Sequence, residues 1–294
     1  MRSSFPGQNN GFREADESRM RISLCNEVLA PLDFERQCAL AASLGYDGLE
    51  IAPVTLSDDP TRLSAARRAE LRRAASDAGI AITGLHYLMR APAGLSITSA
   101  DASQRARSVD VMRALCGLCA DLGGAILVHG SPDQRVLDPG DEENGRKRGI
   151  ACFAAVADTA REAGVTYCVE PLARNQTAFI NTVQDAADIV RQIDSPHLRT
   201  MIDCSAAGQT EAEPVDALIR RWLPTGLIAH IHFNDPNRRG PGEGALAFGP
   251  ILRALRESGY RGDASIEPFV YKPDGPTCAA RGIGYVRGIL EAQA

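Results

Sequence analysis

Residues 20–31 read Met-Arg-Ile-Ser-Leu-Cys-Asn-Glu-Val-Leu-Ala-Pro. The first half is a short apolar run, Arg21 to Cys25, with the signature of a strand; the second half is a turn. In a doubly wound open sheet that binds a dinucleotide, a glycine-rich phosphate loop follows the first strand. Here that place is filled by Asn26-Glu27-Val28-Leu29-Ala30-Pro31, which contains no glycine. The sequence therefore favours the other large parallel architecture, a closed barrel.

Outward from this segment, short apolar runs alternate with longer helical patterns, the mark of βαβ units and a parallel sheet. The predicted strands are 21–25, 48–51, 80–86, 125–129, 166–170, 198–203, 228–233 and 264–267. After the fifth, Val183, Ala186, Ala187 and Val190 repeat at i, i+3, i+4 and i+7, with Asn181 as the expected N-cap. After the seventh, Phe248, Ile251, Leu252 and Leu255 repeat the spacing. Gly164 and Gly259 stand where helices should stop. Eight such units between residues 20 and 294 suit one (β/α)8 catalytic domain, an α/β TIM barrel. Residues 1–19 (MRSSFPGQNNGFREADESR) read as a disordered N-terminal tail, with Met20 as a candidate natural start.

The chain has 294 residues, 44% hydrophobic and 23% charged, a balance that excludes a disordered or collagen-like polymer. With 32 basic and 37 acidic side chains the net charge is −5, so no overall field draws the chain to nucleic acid or to an anionic membrane. Neither a secretory signal nor a long apolar run is evident, and the eight cysteines are scattered. A cytoplasmic location with free thiols is the expectation. Cys116 and Cys119 form a CxxC inside a predicted helix, 104–122, and read as small apolar packing residues rather than half of a zinc site. Cys204 has no expected role.

Barrel chemistry gathers at the C-terminal ends of the strands. Those ends carry His86, His129, Glu170, Asp203, His232 with Asn234, and Glu267. Glu170, Asp203, His232 and Glu267 follow one another at 33, 29 and 35 residues, about one strand–helix unit each. Four neighbouring strands thus present three carboxylates and an imidazole at one level of one rim. Such a set repels itself unless a cation sits among its members. Oxygen-rich ligation with one nitrogen suits one divalent ion, Mn²⁺ first, with Mg²⁺, Co²⁺ or Zn²⁺ compatible. His230 and His232 point to the same side of their strand, and His232, nearer the rim, is the expected ligand. Gly130-Ser131-Pro132 after His129 reads as a tight turn able to offer a hydroxyl and backbone N–H groups.

The segments Val169-Glu170-Pro171, Ile202-Asp203, His230-Ile231-His232 and Ile266-Glu267-Pro268-Phe269 resemble those of the xylose isomerase-like TIM barrels, the sugar phosphate isomerase/epimerase superfamily. The loop Asn237-Arg238-Arg239-Gly240-Pro241-Gly242-Glu243-Gly244 resembles its tagatose 3-epimerase-like branch. The resemblance implies that Glu170, Asp203, His232 and Glu267 hold the metal and that Glu170 and Glu267 are also the catalytic acid/base pair. It implies a metal-dependent isomerase or epimerase that moves a proton beside the carbonyl of a small sugar or polyol-derived ketone, through an enediolate whose charge the metal offsets. Arg238 is similar to the family arginine on substrate oxygens. His86, His129, Gln176 and Asn234 complete the expected substrate contacts. A homo-oligomer is also implied; no nucleic-acid or membrane partner is expected.

Two positions depart from the ketose epimerase pattern. The histidine three residues after the strand-6 aspartate is Ala206 here, and the second glutamate after Glu170 is Gln176. These changes leave room for a dehydratase or lyase on a related keto-polyol at the same site. An endonuclease IV-like nuclease, using His86 and His129 for further metals, and a non-catalytic barrel are the remaining readings. The first lacks a basic face, and the second is disfavoured because both Glu170 and Glu267 are present.

Overall fold

The computed structural model describes residues 19–293. The strands are β1 (Arg21–Cys25), β2 (Gly48–Ile51), β3 (Ala81–Leu85), β4 (Ile126–His129), β5 (Thr166–Val169), β6 (Leu198–Asp203), β7 (Ile228–Phe233) and β8 (Asp263–Ile266). They pair in chain order, all parallel, and β8 closes on β1. The barrel expectation is met, and four strands begin and end where the sequence placed them. The helices are α1 (Phe34–Leu44), α2 (Ala65–Asp77), α3 (Ala102–Leu122), α4 (Glu142–Ala163), α5 (Val183–Ile193), α6 (Cys204–Thr210), α7 (Val215–Trp222), α8 (Phe248–Glu257) and α9 (Gly275–Ala292). The tail expectation for residues 1–18 lies outside the described residues. Arg19 is described, and it pairs with Asp47 at 2.6 Å.

Helix α5 shows how local sequence sets an element. Its N-cap is Thr182, one residue later than expected. The Thr182 hydroxyl accepts from the Asp185 N–H at 3.1 Å, and the Asp185 carboxylate accepts from the Thr182 N–H at 3.0 Å, a reciprocal capping box. The Asn181 amide instead donates to the carbonyls of Leu172 and Thr177, bracing the loop after β5. Val183, Ala186, Ala187 and Val190 face the barrel and are buried, each valine contributing roughly 1.5–3 kcal/mol by leaving water. Gly164, at φ 69°, ends α4 in the left-handed conformation that glycine adopts without strain.

The main apolar core lies between strands and helices. A second, small cluster of Val128, Cys168 and Met201 lies apart from it. Above that cluster the strand ends carry polar side chains. Cys116 and Cys119 are buried on α3 and all eight cysteines are free thiols. Among the described residues, no helix is long and apolar enough to cross a membrane.

Candidate active site

Four consecutive strand ends build the site. Glu170 follows β5, Asp203 ends β6, His232 lies in β7 and Glu267 follows β8. One ligand atom from each lies within 4.8 Å of the others, and all four residues are buried. The surrounding backbone holds them there. The Glu170 N–H donates to the His129 carbonyl at 3.3 Å and the Glu267 N–H to that of Phe233 at 3.1 Å. Asp203 caps α6 by accepting from the Ala206 N–H at 2.6 Å. Gly130 makes room: a Cβ there would overlap the Glu170 carboxylate.

The electrostatics are those of crowded like charges. Burial, then Glu170 and Glu267, push the Asp203 carboxyl up to about 8. Burial also raises Glu267, against the opposing pull of His232. Burial alone would lower His232, but Glu267 and Glu50 outweigh it and hold the imidazolium well above its ordinary range. His232 Nδ1 is buried and makes no hydrogen bond, although carboxylate oxygens of Glu267, Glu170 and Asp203 lie at 3.0, 3.6 and 3.9 Å. An orphaned nitrogen facing three carboxylates is a donor set that a divalent cation fits, since one ion answers every repulsion in it.

The remaining expected residues divide. Asn234 is brought to the cluster, but as a brace: its amide donates to Asp203 at 2.6 Å and to Glu267 at 3.2 Å, and its carbonyl accepts from the Ser205 N–H at 2.7 Å. Its amide and its carbonyl both bond to protein, so it orients the carboxylates. His86 is inside the barrel. Its Nε2 pairs with Glu27 at 2.6 Å and its ring stands edge-on to His232, centroids 6.1 Å apart. Burial pulls His86 down, but Glu27, then Glu50, lift it to about 9.

His129 is not in the site. It registers with Val169, next to Cys168 of the inner cluster, and so shares the outward face. Its Nδ1 lies 2.7 Å from the Tyr167 hydroxyl, its ring packs edge-on to Phe153, and burial lowers it to about 3. Gln176 is exposed and its carbonyl caps the Ala173 N–H at 3.1 Å, so it closes its own turn. The Ser131 hydroxyl accepts from the Met89 N–H at 3.0 Å and is likewise spent on protein. Arg238 is on the rim. Its guanidinium lies over the Phe269 ring at 5.2 Å, and its carbonyl accepts from the N–H groups of Phe269 and Val270, joining the loops after β7 and β8.

Three residues were not anticipated. Glu27 partners His86. Glu50, on β2, lies beneath His232 with Nε2 of that ring 3.2 Å away. Arg135 is fully buried and donates to the Glu170 carbonyl at 2.8 Å. His230, expected as a satisfied interior histidine, binds Glu50 at 2.8 Å.

The family model described as "Xylose isomerase-like TIM barrel" matches residues 38–289. The chain is 30% identical over 243 residues to a D-psicose 3-epimerase of Ruminiclostridium cellulolyticum, covering 81% of this chain and 79% of that protein. It is 30% identical over 245 residues to an L-ribulose 3-epimerase of Mesorhizobium japonicum, covering 82% and 77%. The crystal structure of a 3-keto-D-glucoside 4-epimerase from E. coli superposes with a TM-score of 0.79 at 21% identity, covering 92% of this chain and 100% of that one, a likeness of fold.

Proposed function

The chain belongs to the xylose isomerase-like TIM-barrel family, and on that premise we propose that it is a divalent-metal-dependent epimerase of a ketose or closely related keto-sugar, with Mn²⁺ as its ion. The observation that carries the reading is the convergence of Glu170, Asp203, His232 and Glu267 within 4.8 Å. These four residues would hold the ion, which when bound would polarise the sugar carbonyl and so make the adjacent C–H acidic.

The chain's own groups do the rest. Epimerisation removes a proton from one face of a carbon and returns one to the other, which calls for two proton carriers. Glu170 and Glu267 are the pair. Asn234 holds the Glu267 carboxyl against rotation. Both carboxyls are buried, so protons reach the reacting carbon through them and exchange with solvent between turnovers. Arg238, on the rim over Phe269, would bind substrate oxygens, and His86, paired with Glu27 beside His232, would line the inner wall of the site. The last matters because Ala206 leaves the strand-6 side without an imidazole.

The test uses the chelated protein reloaded with Mn²⁺ and incubated in D₂O with D-psicose, D-fructose, D-tagatose and L-ribulose. The expected product is an epimer carrying one solvent deuterium, formed with Mn²⁺ and not after chelation. A product lighter by one water would make the enzyme a dehydratase. No deuterium in any substrate would refute proton abstraction at this site.

A further inference from the structure

Glu50 is a fully buried carboxylate facing the barrel axis from β2, beside Cys25 in register. Its Oε2 accepts from His230 Nε2 at 2.8 Å and from the Ser265 hydroxyl. Its Oε1 accepts from His232 Nε2 at 3.2 Å. A carboxylate that receives three donors can do nothing but accept. His232 Nε2 must therefore carry its hydrogen, and the other ring nitrogen, Nδ1, is the one free to give a lone pair. That nitrogen is the one turned toward Glu267, Glu170 and Asp203. The ring is also wedged from two sides, perpendicular to His230 with centroids 5.0 Å apart and to His86 at 6.1 Å.

We propose that Glu50 is a positioning residue that sets the tautomer and the orientation of His232, so that Nδ1 alone is presented to the metal. The proposal rests on the reading of His232 as a metal ligand. It assigns Glu50 no contact with substrate or ion. The Glu50–His232 pair then makes a carboxylate–histidine–metal relay, in which the outer carboxylate fixes the ring and raises its basicity. Glu50 reaches His232 across the barrel, from β2 to β7. The ligand is thereby tied to the wall opposite its own strand, and ring rotation would break a buried charged hydrogen bond.

The test is Mn²⁺ binding to the chelated full-length chain, followed by calorimetry and by the electron paramagnetic resonance of free Mn²⁺. The wild type should bind one ion. Glu50→Gln leaves one oxygen and adds a donor that must face one of the two histidines. It should bind one ion about 10–100-fold more weakly while keeping its circular dichroism. Ser265→Ala removes a bond from Oε2 only and should stay within about threefold of the wild type, because the oxygen on His232 is untouched. A folded Glu50→Gln with unchanged affinity would overturn the proposal. So would two ions in the wild type falling to one in the variant, since Glu50 would then be a ligand itself. Should Glu50→Gln fail to fold, the ¹⁵N spectrum of the Mg²⁺-loaded wild type decides: a hydrogen on His232 Nε2 and a bare Nδ1 are expected, and the reverse tautomer refutes. A wild type that takes no ion removes the metal reading and this one together, an outcome the variant comparison cannot mimic.

Discussion

Raising the pH of the metal-free protein from 6.5 to 8 should destabilise it. Asp203 holds its proton up to about 8 in the folded chain, because burial and then Glu170 and Glu267 oppose its charge, against 3.8 ordinarily. His86 holds its proton up to about 9, against 6.5 ordinarily, because Glu27 and Glu50 outweigh burial. Within the window both groups bind more protons folded than unfolded, so stability falls as pH rises. Integrated over the window, each contributes roughly 1–2 kcal/mol of loss, about 3 kcal/mol together. Glu267 and His232 are raised as well and act in the same direction. His129 acts oppositely, since burial lowers it to about 3, but most of its effect lies below pH 6.5. At roughly 2–4 °C per kcal/mol for a chain of this size, the melting temperature should drop by about 6–12 °C. The assay is differential scanning fluorimetry on chelated protein at constant ionic strength. Saturating Mn²⁺ should flatten or reverse the trend, because the ion replaces protons and binds better as they leave. A metal-free melting temperature that is flat or rising across the window would show that the carboxylates ionise freely, and the crowded-charge account of the site would fail.

Glu267→Gln should lower turnover by about 10²–10⁴-fold while keeping most of the bound Mn²⁺, because an amide oxygen can ligate but cannot carry a proton; kcat and metal content measured on one preparation check this. Arg238→Ala should raise KM well beyond any change in kcat or in metal stoichiometry, and unchanged kinetics would leave Arg238 as a loop clamp on Phe269. His129→Phe should keep wild-type turnover but cost roughly 1–3 kcal/mol of stability in urea, since the buried Tyr167 hydroxyl loses its partner; a loss of turnover in a variant of normal stability would return His129 to the site.

What the sequence made legible follows from where the information lies. Strand edges are local: the run Leu198–Asp203 ends at a polar residue, and Ile228–Phe233 is followed at once by Asn234. The four clustered side chains were legible because each lies at or beside the C-terminal end of such a run and the intervals repeat. Facing is different, because it depends on register. His86 and His129 look equivalent in sequence, each ending an apolar run. Pairing of Leu85 with Leu127 sets His86 level with inward Val128, whereas His129 falls level with Val169. One residue of parity separates a site histidine from a packing one.

Glu50, Glu27 and Arg135 were missed for a related reason: each has meaning only through a partner far along the chain. Glu50 is a single acid in a four-residue strand, and its contact with His232 spans 182 residues. Glu27 lies in the segment whose lack of glycine argued for a barrel, yet nothing local couples it to His86. Arg135 reads as one charge in a mixed loop, but it is buried and binds the main chain of Glu170. Burial next to the cluster explains why its charge is tolerated. The site concentrates anions, and the Glu170 carboxylate favours the cation while burial lowers Arg135 to about 10. The barrel thus stacks buried ionisable groups in a column, in which Glu27 faces His86 and Glu50 faces His230 and His232 from other strands or loops. Repeat spacing reveals the carboxylates at the top of that column. The groups that hold them in place become visible only when the barrel closes.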